Sequence, residues 1–384
     1  MRRALIAVAL AGLAAAAAVT AAIAKPTTQA TAAQVAACTN VSIGFLGPLT
    51  GPAGFLGQEQ LSWLRFGVQK YNRQEGTRFK VVLGDTQLKA PAARTVGRRF
   101  AGDSKMLAVI GGSESQAVRV TGNIFEKVNL ASISGSATAI DLTKGRPFTT
   151  FFRVVPNDGI QGPDIVNYVS RNLKASDVVV IDSQDDYSLP LASAVSRGLR
   201  ARNIDVGRES VSADDTDFSS VVTNVGNEVD VVIFATQVAT AANTLSNQLR
   251  EQGKKAIVFG TDGAYSPSQF KPRSGYVSVF APDLHFDPRA RAIVREYRRF
   301  VSKDTSGAFG PATYMAGWVA MTSIRRACAD GRATRAEVVR MTRSTSIPSI
   351  IGPRIAFDRK GDLRGGGAFV IYKVTDGKYS PVGT

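Results

Sequence analysis

Chemistry in this 384-residue sequence gathers at four short turns, two rich in hydroxyls and two carrying carboxylates. The apolar run Leu107–Ile110 is followed by Gly111-Gly112-Ser113-Glu114-Ser115, and Ala131–Ser134 by Gly135-Ser136-Ala137-Thr138. Small residues leave backbone N–H groups open, and a helix starting behind them adds its positive dipole end, so each turn suits an anion. The hydroxyls of Ser115 and Thr138 could add donors. Plain N-capping by Ser and Thr would use the same residues. The run Val178–Asp182 leads into Ser183-Gln184-Asp185-Asp186-Tyr187, and Ile257–Gly260 into Thr261-Asp262-Gly263. Asp262 could hold a cation, and Tyr187 could stack on one or cover an apolar group. A solvent-facing turn aspartate is the plainer alternative. Together the four turns describe a dipolar cleft. A zwitterion such as an amino acid fits it, because each buried charge needs a partner.

Other chemistry is scarce. His285 is the only histidine, which disfavours histidine metal clusters and a Ser-His-Asp triad, and it reads as a packed or surface residue. There is no C-x-x-C and no phosphate-binding G-x-x-x-x-G-K-[ST]. The glycines between Gly44 and Gly57 do not form G-x-G-x-x-G, which argues against a dinucleotide. No helix-turn-helix precedes the fold, which disfavours a DNA-binding regulator. The expectation is a binding protein with no cofactor, no metal and no nucleic-acid partner. An exported enzyme of unknown type fits least well.

The elements that must position these turns alternate. Val41–Phe45, Phe79–Leu83, Leu107–Ile110 and Ala131–Ser134 read as strands separated by helical patterns. Leu61, Leu64 and Val68 share one helix face, as do Val96 and Phe100. The alternation predicts an α/β fold with a parallel sheet covered on both faces. The pattern restarts at Phe151–Val154. It continues through a helix carrying Ile165, Val169 and Leu173, and then strands at Val178–Asp182, Val231–Ala235 and Ile257–Gly260. Helices are predicted near Leu191–Ala201, Ser219–Asn227, Thr240–Glu251, Pro288–Lys303 and Pro311–Ala329, and an extended piece at Val277–Pro282. Thr334-x-x-Glu337 is a capping box opening a further helix. Ala368–Val374 reads as the final strand, ending at the turn Asp376-Gly377. Two α/β lobes follow, with helices and a strand returning at the end. In open parallel sheets ligands bind beyond the carboxyl ends of the strands, where the four turns fall.

The N-terminal segment has a separate character. Arg2 and Arg3 precede the apolar stretch Ala4–Ala24, which closes on Ala22-Ile23-Ala24. This reads as a secretory signal peptide over 1–24, with an uncleaved membrane anchor as the alternative. Residues 25–37 read as a flexible spacer. Export places the two cysteines, Cys38 and Cys328, in an oxidising compartment, where pairing is expected. The net charge of +16 falls to +14 once Arg2 and Arg3 leave with the leader. Its basic residues are scattered, which fits a solvated surface, while attraction to anionic polymers or membranes remains the alternative.

These residues resemble the leucine/isoleucine/valine-binding proteins of bacterial ABC transporters, the type I periplasmic binding proteins. The resemblance runs from about Val41 to the C-terminus. It rests on Ile43-Gly44-Phe45-Leu46-Gly47-Pro48-Leu49-Thr50-Gly51, Val109–Ser115, Ser134–Thr138, Phe152–Asp158, Asp186-Tyr187-Ser188, Asp217-Phe218-Ser219, Phe259–Gly263 and Phe357–Asp362. It implies two Rossmann-like lobes joined by a hinge of three crossovers, near Val154–Asp158, Phe280–Asp283 and Ile350–Pro353. Lobe 1 would take 38–155 with 283–350, and lobe 2 would take 156–282 with 351–384. By the same resemblance Ser115, Thr138 and the backbone at Ser136 would hold a ligand carboxylate, Asp262 the ammonium, and Tyr187 would line the cleft. Leu56 falls where an aromatic often covers the side-chain pocket, and Gln237 where those proteins carry a tyrosine. Asp262 replaces their glutamate, which puts branched-chain specificity in doubt. The implied protein is an exported, free or surface-attached monomer serving an ABC permease. A sensory receptor of the same fold is the alternative.

Overall fold

The computed structural model describes residues 35–38, 41–302, 307–352 and 354–383. The expected leader, 1–24, lies outside them. The described chain opens with a short strand, β1 (Val35–Ala37). The first lobe is built on β2 (Ser42–Gly47), β3 (Lys80–Asp85), β4 (Met106–Gly111), β5 (Ala131–Ser134) and β6 (Phe151–Arg153). These strands are all parallel, in the order β3-β2-β4-β5-β6. The crossovers include α1 (Gly54–Glu75), α2 (Ala90–Gly102) and α3 (Ser115–Lys127). Every residue of β4, Met-Leu-Ala-Val-Ile-Gly, is buried, as a strand covered on both faces requires.

The chain then crosses to the second lobe. There α4 (Asp158–Arg171), β7 (Asp177–Asp182), α5 (Ser188–Arg200), β8 (Asp205–Ser210), α6 (Ser219–Asn224), β9 (Val231–Ala235), α7 (Ala239–Glu251), β10 (Ile257–Gly260) and β11 (Ser274–Val279) follow. It returns through α8 (Arg291–Phe300), α9 (Phe309–Ala327), β12 (Arg332–Thr334), α10 (Arg335–Arg343) and a hairpin of β13 (Ser346–Pro348) and β14 (Arg354–Ala356). It closes with β15 (Val370–Thr375) and β16 (Lys378–Gly383). The second sheet is ordered β16-β15-β11-β10-β9-β7-β8, parallel except for β15, which runs antiparallel to both of its neighbours, β11 and β16.

Helix α9 packs along α1 in the first lobe. Trp63 of α1 is fully buried and stacks on Tyr297 of α8, ring centroids 4.0 Å apart. The Thr334–Glu337 capping box is formed at the start of α10. A disulfide joins Cys38 to Cys328 at the end of α9, with Cα atoms 6.0 Å apart. No helix among the described residues is long and apolar enough to cross a membrane.

Four sequence expectations are corrected. The last three residues of the supposed spacer form β1, which pairs antiparallel with β12. A three-residue pairing held beside a disulfide leaves no trace in hydrophobic periodicity. Strand β8 was missed because its residues, Asp-Val-Gly-Arg-Glu-Ser, are those of a half-exposed sheet edge. Ala368–Val374 is not the final strand: Asp376-Gly377 is a hairpin turn leading to β16. The helix expected from Pro288 opens as a short 3₁₀ turn, Pro288–Ala290, and its α-helical part ends at Phe300. Ile350–Gly352, in the expected third crossover, lie between the strands of the β13–β14 hairpin. The chain regains the second sheet only at Val370, after Gly367 has passed against Pro156 of the first crossover.

Candidate functional site

The carboxyl ends of strands from both sheets face one narrow cleft. Pro48 follows β2, Ser113 to Ser115 follow β4, and Ser136 follows β5. From the second lobe come Tyr187 after β7, Gln237 after β9 and Asp262 after β10. Leu56 and Gln60 of α1 and Phe309 of α9 complete the wall. Close approach is made possible by glycine. A Cβ on Gly57 would meet the Pro48 carbonyl oxygen at 2.1 Å, and one on Gly263 would meet the Thr236 carbonyl oxygen at 2.4 Å.

On the first-lobe side, Ser115 opens α3 and its Oγ accepts the Ala139 N–H at 3.3 Å. The turn after β5 is knitted by hydroxyls. Ser134 Oγ accepts from the Ala137 N–H at 2.9 Å and donates to the Gly112 carbonyl at 2.7 Å. Ser136 Oγ donates to the Ser113 carbonyl at 2.6 Å and accepts from Gln60 Nε2 at 2.8 Å. This turn leads into a single 3₁₀ turn, Ile140–Leu142, rather than a helix, so only the Ser115 turn carries a helix dipole.

On the second-lobe side, Asp185 Oδ1 accepts the N–H groups of Tyr187 and Ser188 at 2.9 and 2.7 Å, fixing the start of α5. Tyr187 thereby directs its hydroxyl to Asp262 Oδ1, to which it donates. Gln161 of α4 donates to the same oxygen at 3.0 Å and to Ser278 Oγ at 2.8 Å. Contacts among the described residues cross the cleft. Gln237 Nε2 donates to Gln116 Oε1 at 3.3 Å, and Arg119 Nη1 donates to the Asp186 carbonyl at 2.9 Å and lies 3.1 Å from its carboxylate. The lobes are closed on one another.

Burial dominates the electrostatics. Asp262 is 3% exposed and its proton affinity is raised by loss of water, against the opposing hydrogen bonds from Tyr187 and Gln161. Asp158, at the start of α4, is raised by burial and next by the charge of Asp262. Burial pushes the Glu114 carboxyl up to about 7, although the Thr86 hydroxyl donates to it.

Of the residues singled out in the sequence, Leu56, Ser115, Ser136, Tyr187, Gln237 and Asp262 share this lining. Thr138 is not part of it. Its backbone carbonyl accepts the Asp158 N–H at 2.9 Å. Sequence reasoning missed Gln60, Glu114, Gln161 and Phe309. Glu114 stood in plain sight inside Gly-Gly-Ser-Glu-Ser, but that turn was read only for anions. His285 lies outside the cleft, with Nδ1 2.7 Å from Asp283 Oδ1.

Strand-end residues of two α/β sheets closing on a shared cleft define a two-lobed receptor fold. The chain belongs to the periplasmic binding protein family, which it matches over residues 40–378. It is 26% identical to an amino acid binding protein of Pseudomonas aeruginosa, over 89% of this chain and 92% of that one. It is 25% identical to the Leu/Ile/Val-binding protein of Escherichia coli K12, over 85% and 89% of the two chains. The fold superposes on a leucine binding protein of Thermotoga maritima with a TM-score of 0.78 at 23% identity, covering 89% of this chain and 97% of the other.

Proposed function

We propose that the protein captures an amino acid between its lobes outside the cytoplasm and presents it, as a monomer, to an ABC permease. The observation that carries this reading is the pairing of two unlike walls on one cleft. The Ser115 turn opens a helix of 13 residues and offers N–H groups and a positive dipole end to a carboxylate. Asp262 faces it from the other lobe with a countercharge for an ammonium. Ser136, Tyr187, Gln237 and Leu56 enclose the guest, and Thr138 supports Asp158 from behind the wall. The names of the relatives agree with this ligand class. In this reading the lobes divide as 38–155 with 283–350 and 156–282 with 351–384, and the hinge opens and closes around the guest.

Thermal-shift screening of the mature protein against the common amino acids tests it. A true ligand stabilises the folded state by about 2.7 kcal/mol at a hundredfold excess over Kd. A panel in which no amino acid raises the midpoint would end the proposal.

A further inference from the structure

The cleft holds a second carboxylate that the capture of a simple zwitterion leaves unused. Glu114 lines the cavity from the first lobe and is 4% exposed. One of its oxygens accepts the Thr86 hydroxyl, while Oε2 is buried with no partner. Beside it in the lining, Gln60 is 1% exposed, and its Oε1 is likewise an acceptor without a donor. No lysine or arginine is among the residues lining the cavity. An ionised carboxylate shut in such a space is costly unless a countercharge arrives with the guest.

Resting on the reading of this cleft as an amino-acid site, we propose that its preferred ligand is a dibasic amino acid. The α-ammonium pairs with Asp262, and the side-chain cation pairs with Glu114. The stoichiometry of charge supports this. Two carboxylates, one from each lobe, meet a guest bearing two cationic nitrogens and one carboxylate, and the Ser115 turn takes the last. Gln60 Oε1 accepts a remaining N–H of the side-chain head. Leu56 and Phe309 give the aliphatic stem an apolar wall while the charged head reaches past them. The upward displacement of the Glu114 carboxyl to about 7 fits a group that is only partly ionised in the empty cleft near neutral pH and ionises fully against a cation.

Isothermal calorimetry near neutral pH tests the assignment with L-lysine, L-arginine, L-norleucine, L-leucine and L-glutamine. Norleucine has the lysine stem without its terminal nitrogen, so the first comparison needs no mutation. Lysine or arginine should bind at least about tenfold more tightly than norleucine and leucine. Glu114→Gln keeps an acceptor for Thr86. It should erase that preference, so that basic amino acids no longer bind more tightly than norleucine or leucine. Leucine, norleucine or glutamine binding as tightly as both basic amino acids would overturn the dibasic assignment and leave the amino-acid site standing. So would an undiminished preference in a folded Glu114→Gln protein. Silence from the whole panel would overturn both.

Discussion

Replacing Asp262 by Asn removes one negative charge from the cleft and little else. The Asn side-chain oxygen can still accept from Tyr187 and Gln161, the donors that Asp262 now holds. Deleting one partner of a buried, hydrogen-bonded charge pair costs about 2–5 kcal/mol, which is about 30-fold or more in Kd. The ligand-free protein should respond in the opposite sense. Burial raises the Asp262 proton affinity, so its ionised form weakens the fold at neutral pH. Stability carried by such a group is full below the unfolded value of 3.8 and falls as pH rises through the folded value. The Asn variant should therefore be as stable as the parent in acid and equally or more stable at neutral pH. Calorimetric titration with the strongest amino-acid ligand measures the first effect, and thermal melts across pH measure the second. Unchanged affinity in a well-folded variant would remove Asp262 from the ammonium site.

Other consequences can be measured independently. Arg119→Ala removes the contact with Asp186 that spans the cleft; for a pair this exposed the cost is about 0.2–1 kcal/mol, so ligand affinity should fall by no more than about fivefold. Small-angle scattering of the ligand-free variant should show a larger radius of gyration than the parent. Burial pushes the Glu59 carboxyl up to about 8 from 4.5, so the folded state keeps that proton and stability falls as pH rises from about 5 to 8, by about 1.4 kcal/mol per unit of difference. Glu59→Gln should flatten this slope in thermal melts, and an unaltered slope would refute the assignment. Reducing Cys38–Cys328, or replacing both residues by serine, should lower stability by about 2–4 kcal/mol without changing ligand affinity in calorimetry.

The sequence spoke clearly wherever a signal was local. Buried parallel strands tend to be continuous apolar runs, and Val231–Ala235 and Ile257–Gly260 match the observed strands residue for residue, as does the alternating Ala131–Ser134. The strand-end rule then pointed to Ser115, Tyr187 and Asp262 because each lies within a few residues of such a run. Signals spread over long separations were silent. Gln60 reaches Ser136 across 76 residues, and Gln161 reaches Asp262 across 101. Both are helix residues beside apolar faces that looked like ordinary core. Thr138 stands out by its type and its place after a strand, but nothing local in the sequence reveals that its carbonyl accepts the Asp158 N–H or that it falls outside the lining. Leu56 and Gln237 came only through resemblance to a family. Nothing in an isolated leucine or glutamine marks a cavity wall.

Arg153 gives the molecule a fixed bearing. It is fully buried at the end of β6, with Nε on Asp362 at 2.6 Å and Nη1 on the carbonyls of Ala137 and Ala139 at 3.0 and 2.8 Å. One guanidinium thus bolts together the strand that leaves the first lobe, the turn carrying Ser136, and the loop by which the chain comes back. In the proposed hinge motion bending would begin beyond that bolt, so the first half of the binding surface would travel as one piece against the other lobe. Little of a guest's contact energy is then spent on shaping that surface. Apparent affinity becomes a matter of how often the ligand-free molecule visits its shut form, and a substitution at the pivot could tune it without touching the cleft.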